Sequence, residues 1–244
     1  QETINNRGVH PCGWLITNDK IFNRVPYRRH SDGYKVAQWE EGSCEDAGNV
    51  KFDFLTIEGA NIVEYIRKLA ENHLGDDVPR IDEIPLDDEG AISVFHNANT
   101  KGIFQFKKYT QRNYLPKLQP TQFKEIVAAV ALGRSGPMAV DAHLDYAKIK
   151  HGEKEIEYPH PDLKPILKET NGIVIYQEQI MKIVQKIGGL TNSEADYVRK
   201  AIGKKDHEEM RKWEDRFKNG GLDNGYSEEL VNKLWDEIKG HAEY

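Results

Sequence analysis

The stretch Val50-Lys51-Phe52-Asp53-Phe54-Leu55 decides how this chain is read. It is too short for an amphipathic helix, and its bulky Val50, Phe52 and Phe54 fall on one face at strand spacing, which leaves Lys51, Asp53 and Leu55 on the other. A carboxylate on a largely apolar strand is costly unless a cation compensates it, so a paired lysine and a bound metal ion are both open readings. A surface strand with a chance ion pair is a third, because exposed pairs are common and weak.

Working outward, the chain before this run reads as strands and turns. Trp14 to Thr17 and Tyr34 to Trp39 have strand character, separated by connections rich in Asn, Asp and Gly. After it the periodicity becomes helical: Ile62, Val63, Ile66, Leu69 and His73 recur at helix spacing and Gly75 stops them. Asp76 to Gly90 is an acidic, proline-containing connector and the best candidate boundary. Beyond it, Pro120 and Thr121 start a helix with the stripe Phe123, Ile126, Val127, Val130 and Ala131, ended by Gly133. Ile173 to Tyr176 is a short β-prone run, and the next helix carries Ile180, Met181, Val184 and Ile187 up to Gly188 and Gly189. Thr191 and Glu194 have capping-box spacing for a helix reaching Gly203, and two more helices follow around 210–217 and 230–238. The fold class is α+β, a short β-rich start continuing into a mainly α-helical body. The expected division is 1–58, then a helix and connector over 59–90, then a helical region over 91–244.

At 244 residues and 38% hydrophobic content the chain can bury a real core in one large domain or two smaller ones. Its longest apolar run, Ile126 to Leu132, is far short of the roughly 20 residues that cross a bilayer, so no membrane partner is expected. The start Gln1-Glu2-Thr3 does not read as a signal peptide, and Cys12 and Cys44 make neither a disulfide framework nor a paired-cysteine zinc site. A reducing, cytoplasmic location follows as the expectation. The net charge of −6 hides an asymmetry: residues 101–205 carry +7 between flanks of −8 and −5. A basic segment in an acidic protein suits a local phosphate-binding surface, and a set of solvated helix faces has the same composition.

Within the basic segment, Arg134 follows a helix-ending glycine and precedes the Gly136-Pro137 turn, which suits phosphate or carboxylate binding as well as it suits a helix-dipole partner. Arg199, Lys200, Lys204 and Lys205 crowd a helix end, where four like charges call for an anionic partner or for solvent.

Taken together these runs resemble the C-family DNA polymerases, the replicative α subunit of bacterial DNA polymerase III and its phage relatives. The family's KFDFLGL strand is matched at Lys51 to Leu55, and its IPLDD and GVFQ or GIFQ runs at Ile84 to Asp88 and Gly102 to Gln105. Its ALxRPGP turn falls at Ala131 to Pro137 and its KHG at Lys150 to Gly152. GxxxYQEQxM then follows at Gly172 to Met181 and RRAMGKK at Arg199 to Lys205, which completes seven motifs in family order. YQEQ followed by the GKK run is the most specific of these, and the resemblance runs from about Arg7 to Tyr244.

The resemblance implies the second part of a polymerase palm over the first residues and the fingers over the helical remainder. Asp53 matches a catalytic aspartate that binds the two Mg2+ ions of template-dependent nucleotidyl transfer, and Lys51 a lysine placed to meet the triphosphate. Arg134, Arg199 and Lys200 match finger residues presented to nucleotide and phosphates, with His151, Lys204 and Lys205 as further DNA contacts; a lone histidine also reads as a packing residue. The implied partners are primer-template DNA, a dNTP, an N-terminal polymerase segment that brings the other metal ligands, and, through regions outside this sequence, a sliding clamp. Two-metal chemistry needs several carboxylates around ions about 4 Å apart, so one aspartate is expected to be inactive alone. The C-terminal His241 to Tyr244 falls just before the family's FNKSH stretch, so the resemblance implies a segment bounded by inteins, a split subunit or an expressed fragment.

Three departures mark a divergent member, consistent with phage encoding and hence a host-cytoplasm location. DFLGLR becomes Asp53-Phe54-Leu55-Thr56-Ile57-Glu58, RPGP becomes Arg134-Ser135-Gly136-Pro137, and RRAMGKK becomes RKAIGKK, which keeps the charge without the second arginine's bidentate geometry. The competing expectation is a non-enzymatic DNA-binding or assembly module that keeps a fingers scaffold, with salt-sensitive DNA binding and no dependence on Asp53 or Mg2+.

Overall fold

Residue order gives β1 (Gly13–Ile16), β2 (Tyr27–Arg29), β3 (Lys35–Ala37), α1 (Glu41–Asp46), β4 (Val50–Asp53) and α2 (Glu58–Leu74) in the first part of the structure, a computed structural model. Residues 8–55, 57–75, 78–134, 141–204 and 207–243 are described. They divide into two compact units, Gln1–Arg80 and Ile81–Tyr244.

In the first unit β1 pairs antiparallel with β4 and β2 with β3, the two sheets found among the described residues. The β1–β4 register sets Trp14 opposite Phe52 and Ile16 opposite Val50 on one face, and Gly13 opposite Asp53 and Leu15 opposite Lys51 on the other. Strand alternation therefore separates the phenyl rings from the charges, as the sequence pattern requires. The apolar face is nonetheless exposed, with Trp14 at 62% and Phe54 at 60%. So the burial that would make Asp53 costly is not met within this unit. α2 is likewise amphipathic without burying a residue, and Gly75 ends it at φ +74°.

The second unit is helical: α3 (Glu89–His96), α4 (Tyr109–Leu118), α5 (Phe123–Leu132), α6 (Ala142–Lys150), the single turn α7 (Lys164–Leu167), α8 (Gln177–Gly188), α9 (Asn192–Lys204), α10 (His207–Asp223) and α11 (Glu228–Glu243). Two apolar cores organise it. One joins α4, α5 and α6 through Leu115, Leu118, Ala129, Leu132 and Tyr146. The other joins α8 to α11 through Ile183, Ile187, Val198, Phe217 and Trp235. α8 and α10 approach so closely that a Cβ on Gly220 would sit 1.9 Å from the Gly188 carbonyl oxygen, so this crossing requires glycine.

The run Ile173 to Tyr176, expected to be β-prone, forms no strand. Its side chains divide between the cores, Val174 with the C-terminal bundle and Ile175 with the α4–α6 cluster. Alternating burial on two sides imitates a strand, while its amides are satisfied elsewhere. Gln179 Oε1 accepts from the backbone N–H of Ile175 at 2.8 Å and of Tyr176 at 2.9 Å.

Candidate active site and nucleic-acid contacts

Asp53 stands at the end of β4, and Gly13, its cross-strand partner, has no side chain to cover it. A Cβ on Gly13 would lie 2.6 Å from His10 Nδ1 and 3.2 Å from Lys51 Cε, so the glycine makes room for both. Lys51 Nζ lies 3.2 Å from Asp53 Oδ2 and 2.9 Å from Glu41 Oε1, while His10 Nδ1 is 3.7 Å from the other Asp53 oxygen. The Lys51 ammonium is held above its ordinary pKa by its hydrogen bond to Glu41 first and to Asp53 second, and stays charged at neutral pH. Of the readings left open for Asp53, the structure shows the paired lysine, on a side chain that remains 41% exposed.

As a metal donor set this corner is partial. Carboxylate oxygen is the donor that Mg2+ prefers, and an octahedral ion takes six oxygens, of which Asp53 supplies one or two. Among the described residues no group of three or more His, Cys, Asp or Glu side chains is placed to hold a metal ion. Asp53 is a donor that suits Mg2+, and the described residues around it do not complete a site.

The remaining candidates lie on the second unit. Arg134 follows α5, its backbone N–H donating to the Ala131 carbonyl at 3.3 Å. The preceding Gly133 is pinned by buried Gln111, whose Nε2 donates to the Gly133 carbonyl at 3.3 Å. Ser135 to Pro137, the turn expected to present Arg134, lie outside the described residues. On α9, Arg199 Nη2 and Lys200 Nζ converge on the two oxygens of Asp196 at 2.8 and 2.9 Å. The like charges expected to repel are therefore partly neutralised within their own helix. Lys200 Nζ also sits 5.6 Å from the centre of the Tyr197 ring, which stacks on Trp213. Lys204 closes α9, and Lys205 lies outside the described residues.

Two motifs prove to carry structure. In Lys150-His151-Gly152, Lys150 Nζ pairs with buried Glu125 at 2.8 Å and also donates to the Gln119 carbonyl, while His151 Nε2 lies 2.9 Å from the Lys117 carbonyl oxygen. The motif staples the end of α6 to the end of α4 and the start of α5. In Tyr176-Gln177-Glu178-Gln179, the last residue is buried; besides accepting from two amides it donates to Thr170 Oγ1 at 2.7 Å and to the Ile166 carbonyl at 3.3 Å. Gln179→Ala is expected to strand these buried groups at about 1–3 kcal/mol each and to lower the urea midpoint of the chain clearly. A midpoint within error of the parent would show that water replaces the amide.

Glu41, His10, Asp196 and Glu125 were not singled out by the sequence reading. Asp196 had a signal, its spacing of three and four residues to Arg199 and Lys200, and so did Glu125, three residues after Gln122 at capping-box spacing. Glu41, on α1, reaches Lys51, and His10, just before β1, reaches Asp53; both contacts are made by the folded chain and had none.

Two family models match the chain. The family model described as the bacterial DNA polymerase III alpha subunit finger domain matches residues 60–225, and the one described as the bacterial DNA polymerase III alpha NTPase domain matches residues 1–56. The chain belongs to the family of bacterial DNA polymerase III alpha subunits. Among its relatives, the DNA polymerase III subunit alpha of Aquifex aeolicus is 37% identical over 236 residues, 97% of this chain and 20% of that protein. The subunits of Mycobacterium leprae (37%; 99% of this chain, 21% of that protein) and Thermus aquaticus (35%; 97% and 20%) align similarly. The chain spans about a fifth of the length of the curated relatives it matches. Among the described residues no helix is long and apolar enough to cross a membrane.

Proposed function

We propose that this chain supplies one catalytic aspartate and the fingers of a DNA-directed DNA polymerase acting in DNA replication, with primer-template DNA and a dNTP as substrates. The observation that carries the reading is the open carboxylate of Asp53 beside a lysine kept cationic, on the strand that ends the region matched by the NTPase-domain model.

In this reading Asp53 is one ligand of a Mg2+ site whose other carboxylates come from a polymerase segment outside this sequence. When bound, the metal supplies Lewis-acid activation of the primer 3′-hydroxyl and charge stabilisation at the α-phosphate. Lys51 sets its charge against the incoming triphosphate, and Glu41 holds the ammonium extended toward Asp53. Arg134, Arg199 and Lys200 contact nucleotide and backbone phosphates, Asp196 keeping the last two in place until an anion displaces it. His151, Lys204 and Lys205 add DNA contacts, His151 from the turn after α6.

The test is primer extension by this 244-residue chain alone and by the chain joined to the upstream segment of a polymerase III alpha subunit. Extension is expected from the joined protein alone. A joined protein that binds primer-template but never incorporates nucleotide would favour a non-enzymatic DNA-binding module instead.

A further inference from the structure

Residues 20–35 carry Lys20, Arg24, Arg28, Arg29 and Lys35 against the single carboxylate of Asp32, a net +4, whereas the other residues among the first hundred sum to −12. The centre of this basic island is the β2–β3 hairpin, whose register sets Arg29 directly opposite Lys35. Both are exposed. Like charges opposite one another across a ladder destabilise it, so this pairing works against the fold.

Elsewhere in the same unit the cations have carboxylates: Lys51 has Glu41 and Asp53, Arg67 has Glu64 and Glu71, and Lys68 has Glu64. Among the described residues no carboxylate lies within ion-pair distance of Arg24, Arg28, Arg29 or Lys35. The acids nearest in sequence are engaged elsewhere. Asp32 is 3.4 Å from His30 Nδ1, and Asp19 accepts from Asn23 and from the Lys20 amide, with Arg24 a weaker influence. The hairpin's rings are engaged as well, Tyr27 with the Lys35 ammonium 5.0 Å from its centre and Tyr34 stacked on His30 at 4.5 Å. It therefore lacks the row of free aromatic faces that tracks a single strand.

We propose that the β2–β3 hairpin is a docking surface for the phosphodiester backbones of duplex DNA, with Arg29 and Lys35 contacting phosphates from one face of the ribbon and Arg28, opposite Val36, from the other. An unpaired cation cluster that opposes its own hairpin is stabilised when phosphates enter between the charges, and counterion release from the duplex supplies the driving force. The choice of duplex DNA over another polyanion rests on the polymerase reading above.

The experiment is fluorescence anisotropy of a short labelled duplex with the 244-residue chain over a salt series. A triple variant, Arg28→Gln, Arg29→Gln and Lys35→Gln, is compared with a control of equal charge change at paired lysines, Lys68→Gln, Lys154→Gln and Lys218→Gln. Loss of three phosphate contacts lowers the slope of log K against log salt by about 2.7, so the affinity lost between about 50 and 200 mM salt shrinks about fortyfold. The control keeps the parent slope. A triple variant with the parent slope, a control that falls equally, or a parent chain that does not bind the duplex overturns the proposal. So does equal, hairpin-dependent binding of phosphatidylserine vesicles, which would mark a general polyanion patch. The triple variant should also unfold at no lower urea concentration than the parent, because the Arg29–Lys35 repulsion is gone; a drop would show that these cations serve the fold and would overturn it too. If the hairpin slope is lost as expected but the joined polymerase never incorporates nucleotide, the polymerase reading fails and the hairpin stands. The converse result sinks the hairpin alone.

Discussion

Asp53→Asn, introduced into a polymerase subunit that carries this segment, is expected to slow primer extension by about three orders of magnitude and to leave primer-template affinity unchanged. A metal ion contributes several kcal/mol of charge stabilisation in phosphoryl transfer, and each ~1.4 kcal/mol is a decade in rate. The substitution preserves shape and removes the charge that would hold the ion. It also spares the fold, because the side chain is 41% exposed and lies opposite a glycine. Lys51 should then lose one of its two carboxylates and keep Glu41 at 2.9 Å, so its position is retained. The kinetic signature is a fall in kcat with little change in the KM for dNTP. Lys51→Ala should raise that KM, since in the proposed arrangement it removes a charge set against the nucleotide in both ground and transition states. Steady-state extension on a defined primer, with melting curves for each variant, reads all of this. Undiminished extension by Asp53→Asn would remove Asp53 from the metal site.

How far the sequence carried depends on how local each cause is. β4, α2, α5, α8 and α9 were legible because their periodicity and their stops lie within a few residues of one another, as with Gly75 after α2 or Thr191 and Glu194 at the start of α9. α4 was not read, and Pro116 inside it is a strong local argument against a helix. It is helical because Tyr114, Leu115 and Leu118 bury against α5 and α6, a tertiary cause that no window shows. The α1 turn, Glu41–Asp46, was missed for a similar reason, since Cys44 alone of its residues is buried. The site divides the same way. Lys51 beside Asp53 follows from alternation along one strand, but Glu41 joins them only once the chain has turned back. The exposed Trp14, Phe52 and Phe54 are the counterpart case: alternation sets Phe52 and Phe54 on one strand face but does not decide what covers it, and within the first unit that face is exposed.

Glu125 and Lys150 offer the second large effect, on stability. Their side chains are 11% and 13% exposed and 2.8 Å apart. Glu125 also accepts from the Thr121 amide at 2.7 Å and the Gln122 amide at 3.3 Å. Burial pushes the Glu125 carboxyl up, but Lys150 and these amides together outweigh it and hold the pKa below the ordinary 4.5. Glu125→Ala leaves a half-enclosed ammonium and two amides without their acceptor, and is expected to cost about 3–5 kcal/mol. Lys150→Met should cost less, because the amides still hold the carboxylate, and the double variant should lose less than the sum of the two. The pH dependence has a definite sign. A carboxyl whose folded pKa is depressed stabilises the fold above its unfolded value, here 4.5, and that contribution disappears as pH falls through the lower folded value. Urea midpoints of the parent should therefore decline below about pH 4.5 more steeply than those of Glu125→Ala, with the two curves converging in acid. His151→Ala, which removes only the bond to the Lys117 carbonyl, should shift the midpoint by about 1 kcal/mol. Curves that coincided from neutral pH into acid would show that the pair contributes no net stability. Lys150-His151-Gly152 would then need a role outside the packing of α4, α5 and α6.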